Sequence, residues 1–274
     1  MRILVESVAL IGPGLPDWQG SLAVLRGEAP YGALSPASAA VVATPQRLPA
    51  AERRRVGLSV KLAIAVAEQA FAGWPDRMAS TATVFTSSGG DGDNCHALCE
   101  ALTATEPMVS PTRFTNSVHN AAAGYWSIAV GATGPSSSLC AFDASFCAGL
   151  IEAAMFAVAE QEPVALIAYD VRYPEPLHSK RPITAAFGAA LILAPASVGA
   201  AAGRRTGLAT LELAEYSQGS GDRLADPALE ALRVGVPAAR CLPLLAAIAG
   251  QRPAGVSLDA FPGQVLRIEV LPCG

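Results

Sequence analysis

The sequence predicts an α/β layered architecture: a mixed β-sheet with helices on both faces, folded as one domain over residues 1–274. Three observations carry that reading. Apolar runs of strand length alternate with longer helix-like stretches, then give way to a meander of strands. Two runs, PVALIAYD (163–170) and FGAALILAP (187–195), are apolar without alternation, as in strands covered on both faces. No linker separates two cores, and 274 residues with 51% hydrophobic content suffice for one large core.

Residues 2–12 read as a strand closed by Gly12-Pro13-Gly14. A short helix or loop follows over Asp17–Glu28. Residues 30–49, rich in Pro, Ala and Ser, read as irregular. From Pro49 to Ala72 the pattern predicts one helix, with Pro at its start, Glu52 in its first turn and Gly73-Trp74-Pro75 as its stop. ATVFTS (82–87) is a strand, and the turn over Ser87–Asp93 opens a helix over Asn94–Thr103. That turn is glycine-rich but lacks the Lys-Ser/Thr ending of a phosphate loop, and its two aspartates repel phosphate. Asn120 is the expected N-cap of a helix over Ala121–Val130. A strand over Pro135–Ala141 then turns sharply, at an elbow over Ser138–Asp143, into an apolar helix reaching Glu160, with Asp143 as its candidate cap. Two apolar strands follow, 163–170 and 187–195, joined by a polar loop holding His178, Lys180 and Arg181. Val198–Thr206 reads as a surface turn and 207–218 as an exposed or edge strand. Asp226–Gly250 holds one or two helices, and QVLRIEVLP (264–272) is a last strand.

Composition excludes several function classes. The net charge of -4 leaves no nucleic-acid footprint, and Arg53-Arg54-Arg55 beside Glu52 reads as a solvated helix face. No apolar stretch of 18 residues is free of charged or turn residues, so no membrane span is expected. The opening apolar run carries Glu6 and lacks a small-residue cleavage site, so no signal peptide is expected, and the protein reads as cytoplasmic. The six cysteines are then reduced thiols. Cys95 and Cys99, with His96, lack two further ligands at zinc spacing, so no metal and no cofactor is expected. Charged residues are only 15% of the chain, which implies helices buried on all sides or a large surface covered by a partner.

The segments NSVHNAAAGYWSIAVG (116–131), SSLCAFDASFCAGLIEA (137–153), PVALIAYD and AAFGAALILAP (185–195) resemble the β-ketoacyl synthase-like family of aryl polyene clusters. The resemblance implies a thiolase-like half, with a mixed five-stranded-type sheet. It also implies a chain-length factor: a catalytically silent partner of a full-length ketosynthase in a heterodimer, meeting acyl carrier protein only indirectly. It implies sheet contact near Ser136–Ala141. A working ketosynthase carries its nucleophilic Cys at the elbow and two His residues in its C-terminal half. Here only His178 follows the elbow, in a loop that matches neither His motif. Counting back six from Cys147 implies Ala141 as the vacated nucleophile position.

Cys140 is then a packed thiol in or beside the strand, with a reactive thiol as the alternative. His119 is either a general base or a ring that ties together the loop around Asn116 and Asn120. Tyr125 and Trp126 are core or partner-facing aromatics. The family signature marks Asn116, Ser117, His119, Asn120, Gly124, Tyr125, Trp126 and Phe142 as candidate interface or tunnel residues. Two other functions stay open: a small acyltransferase or thioesterase using Cys140 with His119 or His178, and a scaffold that binds carrier protein.

Overall fold

The computed structural model describes residues 1–32, 42–196 and 207–273. The surface turn expected at 198–206 and part of the irregular stretch 30–49 lie outside them. One mixed sheet organises the chain, in the order β3-β2-β4-β5-β1-β6-β8-β7. The strands are β1 (Arg2–Ile11), β2 (Ala82–Thr86), β3 (Ser136–Leu139), β4 (Val164–Asp170), β5 (Phe187–Pro195), β6 (Ala209–Gln218), β7 (Ala254–Asp259) and β8 (Gln264–Pro272). Strands β3, β2 and β4 are parallel, and every other pairing is antiparallel. The first five positions are the five-stranded-type sheet, and β6, β8 and β7 extend it to eight.

The unbroken apolarity of β4 and β5 has a direct cause. Side chains alternate between faces, and both faces are covered. Ala165, Ile167 and Ile192 enter one core, with Phe71 and Trp126 stacked at 5.9 Å. Helices α3 (Leu58–Ala70) and α6 (Ala121–Val130) cover that face. Val164, Leu166, Leu191 and Leu193 enter the other core, under α7 (Ser145–Glu160) and the helices Pro227–Gly235 and Leu242–Ala249. The segment Phe142–Glu160 has the length and mean hydropathy (1.5) of a membrane span. It packs on β2, β4 and β5 with half its residues buried, as a core helix does.

Several expectations change. The strand expected at 207–218 as exposed or edge is β6, which lies inside the sheet between β1 and β8. The helix over Pro49–Ala72 is two helices, α2 (Ala50–Arg53) and α3, broken at 54–57. Gly57 enters α3 in an extended conformation, and a Cβ there would lie 2.6 Å from the Asp91 carboxylate. The bare Gly57 admits this tertiary approach at the break, a contact that local pattern does not encode. Strand β7 went unread because AGVSLD offers only Val256 and Leu258 to the core. The polar loop after β4 contains a helical turn, α8 (Leu177–Lys180). Between these elements lie α1 (Trp18–Leu25), α4 (Gly92–Thr103) and α5 (Pro111–Thr115).

The two sheet edges differ. At β7, Asp222 accepts from the Ser257 N–H at 3.0 Å and donates its own N–H to the Ser257 carbonyl at 2.8 Å. Gly221 N–H donates to Asp259 at 2.8 Å. This strap takes the outward backbone groups of Ser257, midway along β7. Strand β3, the other edge, presents Ser136 and Ser137 to solvent. Thr83 N–H bonds the Pro135 carbonyl and Ser87 N–H the Leu139 carbonyl. In a parallel ladder alternate residues face the neighbour, so the backbone groups of Ser136 and Ser138 face outward.

Candidate functional site

Parallel strands end on one side, so the loops after β2, β3 and β4 converge. Asp170, the last residue of β4, is 2% exposed. Its Oδ1 accepts from Ser88 N–H (2.8 Å), Ser88 Oγ (2.7 Å) and Ser87 Oγ (3.1 Å), and its Oδ2 accepts from Ala238 N–H (2.9 Å). Burial pushes this carboxyl up to about 6, against the opposing pull of those hydrogen bonds. The carboxylate thereby fastens the turn after β2 to the segment Pro237–Cys241. Sequence reading missed Asp170. Its one signal is a carboxylate closing an otherwise apolar strand.

Strand β3 runs into the elbow. Ala141 N–H donates to Ser145 Oγ at 3.0 Å, and the Ser145 hydroxyl donates to the Phe142 carbonyl at 2.7 Å. Thr86 Oγ1 donates to the Ser145 carbonyl at 2.7 Å, which ties the start of α7 to β2. Within this frame Phe142 has φ +55°, in the left-handed region that bulky residues avoid. The left-handed residue is thus Phe142, one past Ala141. Its ring is 59% exposed, and the Arg181 guanidinium lies 3.4 Å from its centroid. Asp143 does not cap α7. It pairs with Arg181 and Arg240, each at 3.0 Å. Asp259 then pairs with Arg233 at 2.9 Å, and Arg233 with Glu230 at 2.8 Å. Three arginines and three carboxylates form one chain of ion pairs between the elbow, Pro237–Cys241, the end of β7 and the helix Pro227–Gly235.

Cys140 is exposed rather than packed, because the strand ends at Leu139 before its side chain can turn inward. Its thiol donates to the Ser88 carbonyl at 3.2 Å. His119 Nε2 lies 3.3 Å from the Ser87 carbonyl, so its ring ties the α5–α6 connection to the turn after β2, not to Asn116 and Asn120. Cys140 and His119 rest on neighbouring carbonyls of one turn. Among the described residues no hydrogen bond joins Cys140 to His119 or to His178, which sits on α8. Cys147 and Cys241 are buried, and burial pushes both thiols up, Cys147 to about 12. Cys95 and Cys99 lie exposed on α4, where His96 is 3.3 Å from Glu100.

The signature residues divide into two groups. Asn116, Tyr125 and Trp126 are buried. Tyr125 donates its hydroxyl to Asn116 at 2.9 Å, and Asn116 donates to the Arg55 carbonyl at 3.2 Å, so this pair fixes the α2–α3 connection against α6. Ser117 is exposed and donates to the Phe114 carbonyl at 2.7 Å. Asn120 makes no side-chain cap bond to α6. It joins Val118, Gly124 and Ile128, with Glu52 and Arg55, in lining a groove of about 450 Å³.

Residues 28–238 match a family model described as the β-ketoacyl synthase N-terminal domain. No curated protein sequence matches. Among solved structures, the chain is 20% identical (TM-score 0.72) to a chain of the ketosynthase ApeO in complex with its chain length factor ApeC from Xenorhabdus doucetiae. That match covers 98% of this chain and 99% of the other. It is 16% identical (TM-score 0.72) to a chain of the ishigamide ketosynthase/chain length factor, covering 100% and 99%. It is 12% identical (TM-score 0.75) to a chain of AntDE:AntF, a type II polyketide synthase acyl carrier protein with its hexaketide-bound ketosynthase, covering 99% and 99%. At these identities the likeness establishes a shared fold.

Proposed function

The chain belongs to the β-ketoacyl synthase N-terminal domain family, and from that premise we propose that it is a non-catalytic chain-length factor paired with a full-length ketosynthase. The reaction served is chain extension in aryl polyene or related fatty-acid and polyketide-type biosynthesis. The carrier protein meets the cytoplasmic complex through the catalytic partner.

One observation carries this reading: an inert elbow lies beside an open sheet edge. We place the vacated nucleophile position at Phe142, because a strand-to-helix elbow mounts its reactive group on the left-handed residue. A phenyl ring can neither attack a thioester nor hold an acyl chain. Cys140, two residues earlier, has its S–H committed to a carbonyl and no base bonded to it. The enzyme alternative therefore lacks an activated nucleophile.

The open edge favours pairing. The outward backbone groups of Ser136 and Ser138 would accept another strand. Helix α6 packs beside β3 on one face and α7 on the other, and each leaves apolar side chains exposed: Ile128 on α6, Met155 and Val158 on α7. Two-fold docking of a partner would bury this apolar frame around the new strand pair. The hypothesised control of chain length is steric: side chains at this boundary shape the partner's acyl tunnel.

The test is co-expression with a full-length ketosynthase from the same genome, followed by thiol footprinting. A one-to-one complex is expected, with Cys140 protected from alkylation while Cys95 and Cys99 on α4 stay reactive. A monomer that binds only carrier protein would sink the reading. So would rapid acylation of Cys140 with turnover that is lost in Cys140→Ala.

A further inference from the structure

We propose that the cavity at the elbow is a socket for an uncharged apolar or aromatic side chain of the ketosynthase partner. This rests on the reading of the chain as that enzyme's partner, and it extends the docking surface beyond the sheet edge. The cavity holds about 440 Å³, within the range of built binding sites. Phe142 and Phe261 both line it. Phe261 is 51% exposed in the β7–β8 turn, and the Tyr216 ring meets it edge-on at 5.4 Å. Ala141, Ala144, Gly219 and Gly263 leave the space between these rings unfilled.

The elbow contacts fix the backbone of Phe142, but they leave its ring open to solvent. A bulky residue with left-handed backbone and an exposed ring is disfavoured twice, and its one ring partner is Arg181. The ion-pair chain through Asp143 holds it there. Exposed rings in fixed positions around a cavity are the form that anchoring sites take in protein interfaces. The charges in the walls select the occupant. Asp143 and Asp259 line the cavity, and arginines neutralise both. A charged side chain would have to displace one of those pairs, whereas an apolar one would not.

Position identifies the source. Strand β3 has four residues, and a typical strand has five or six. A partner strand of typical length paired along β3 would overhang it. At about 3.3 Å per residue, Phe142 lies within roughly 10 Å of the last paired residue, Leu139. Residues overhanging at the Leu139 end would reach the elbow, where Phe142 forms one wall of the cavity.

The experiment measures the affinity of the purified chain for the co-expressed ketosynthase with three variants. Phe261→Ser alters an exposed ring on a turn and leaves the core untouched. Ser138→Pro removes an outward N–H from β3. Val234→Ser changes an equally exposed residue on the helix Pro227–Gly235. Expected is a loss of tenfold or more for Phe261→Ser, loss of the complex for Ser138→Pro, and no change for Val234→Ser. A Phe261→Ser Kd within twofold of the parent, with Ser138→Pro still abolishing the complex, overturns the socket and leaves the pairing intact. An unchanged Kd for Ser138→Pro, or no complex with the parent chain, overturns the pairing and the socket with it.

Discussion

Asp170 is a buried carboxylate fixed by four hydrogen bonds, and two consequences follow. Replacing it with Asn puts an amide N–H₂ against N–H donors and leaves one of them unpaired. Asp170→Asn is expected to cost about 1–3 kcal/mol at neutral pH, read from denaturant midpoints. The second consequence concerns pH. Burial raises this carboxyl from 3.8 to about 6. Within that window the folded chain holds a proton that the unfolded chain has released. Stability from this group therefore falls as pH rises through the window and is level above it. Denaturant midpoints at pH 4.5 and 7 are expected to show a slope in the parent that Asp170→Asn lacks. The cysteines give a further residue-scale expectation. Iodoacetamide at neutral pH should label Cys95, Cys99 and Cys140 in the folded chain and spare Cys147 and Cys241, checked by peptide mass mapping. Cys140→Ala should leave stability within about 0.5 kcal/mol, as at other exposed sites.

Helix α7 lies close on its strands because Gly149 faces them. A Cβ at that position would lie 2.9 Å from both Leu166 Cδ1 and Thr86 Cγ2. Thr86 cannot swing aside, since its hydroxyl is bound to the Ser145 carbonyl. Gly149→Ala is expected to destabilise by about 1–3 kcal/mol, measured by denaturant unfolding. What the sequence revealed about such elements depends on where their causes lie. Strands β4 and β5 were legible to within a residue, because burial on both faces writes itself as unbroken apolarity. The elbow was legible as a place, but the left-handed conformation of Phe142 was not. Its left-handed residue follows from the Ser145 and Asp143 contacts, which no spacing rule contains. The break before α3 was illegible for the same reason, since Asp91 reaches Gly57 from 34 residues away in the chain. The exposure of Cys140 depends on the strand ending at Leu139, two residues earlier than the expected end at Ala141.

At the scale of the molecule, the fold was legible and the ion-pair chain at the elbow was not. Alternating elements and an apolar composition specify layers. Glu230, Arg233, Arg240 and Asp259 meet Asp143 and Arg181 only through tertiary structure. Most of the apolar content fills the two cores, and beside β3 it leaves Ile128 on α6 and Met155 and Val158 on α7 exposed. Purified alone, the chain is expected to bind a hydrophobic dye and to self-associate as its concentration rises, measured by fluorescence and light scattering. Both signals should disappear when the ketosynthase is present. The strap over β7 matters for the size of any assembly. A sheet open at both margins can propagate without limit, as fibrils do. Here Asp222 takes the outward N–H and carbonyl of Ser257, midway along one margin, and so obstructs strand addition there. Strand addition is then favoured at β3, and a closed pair is its natural end point.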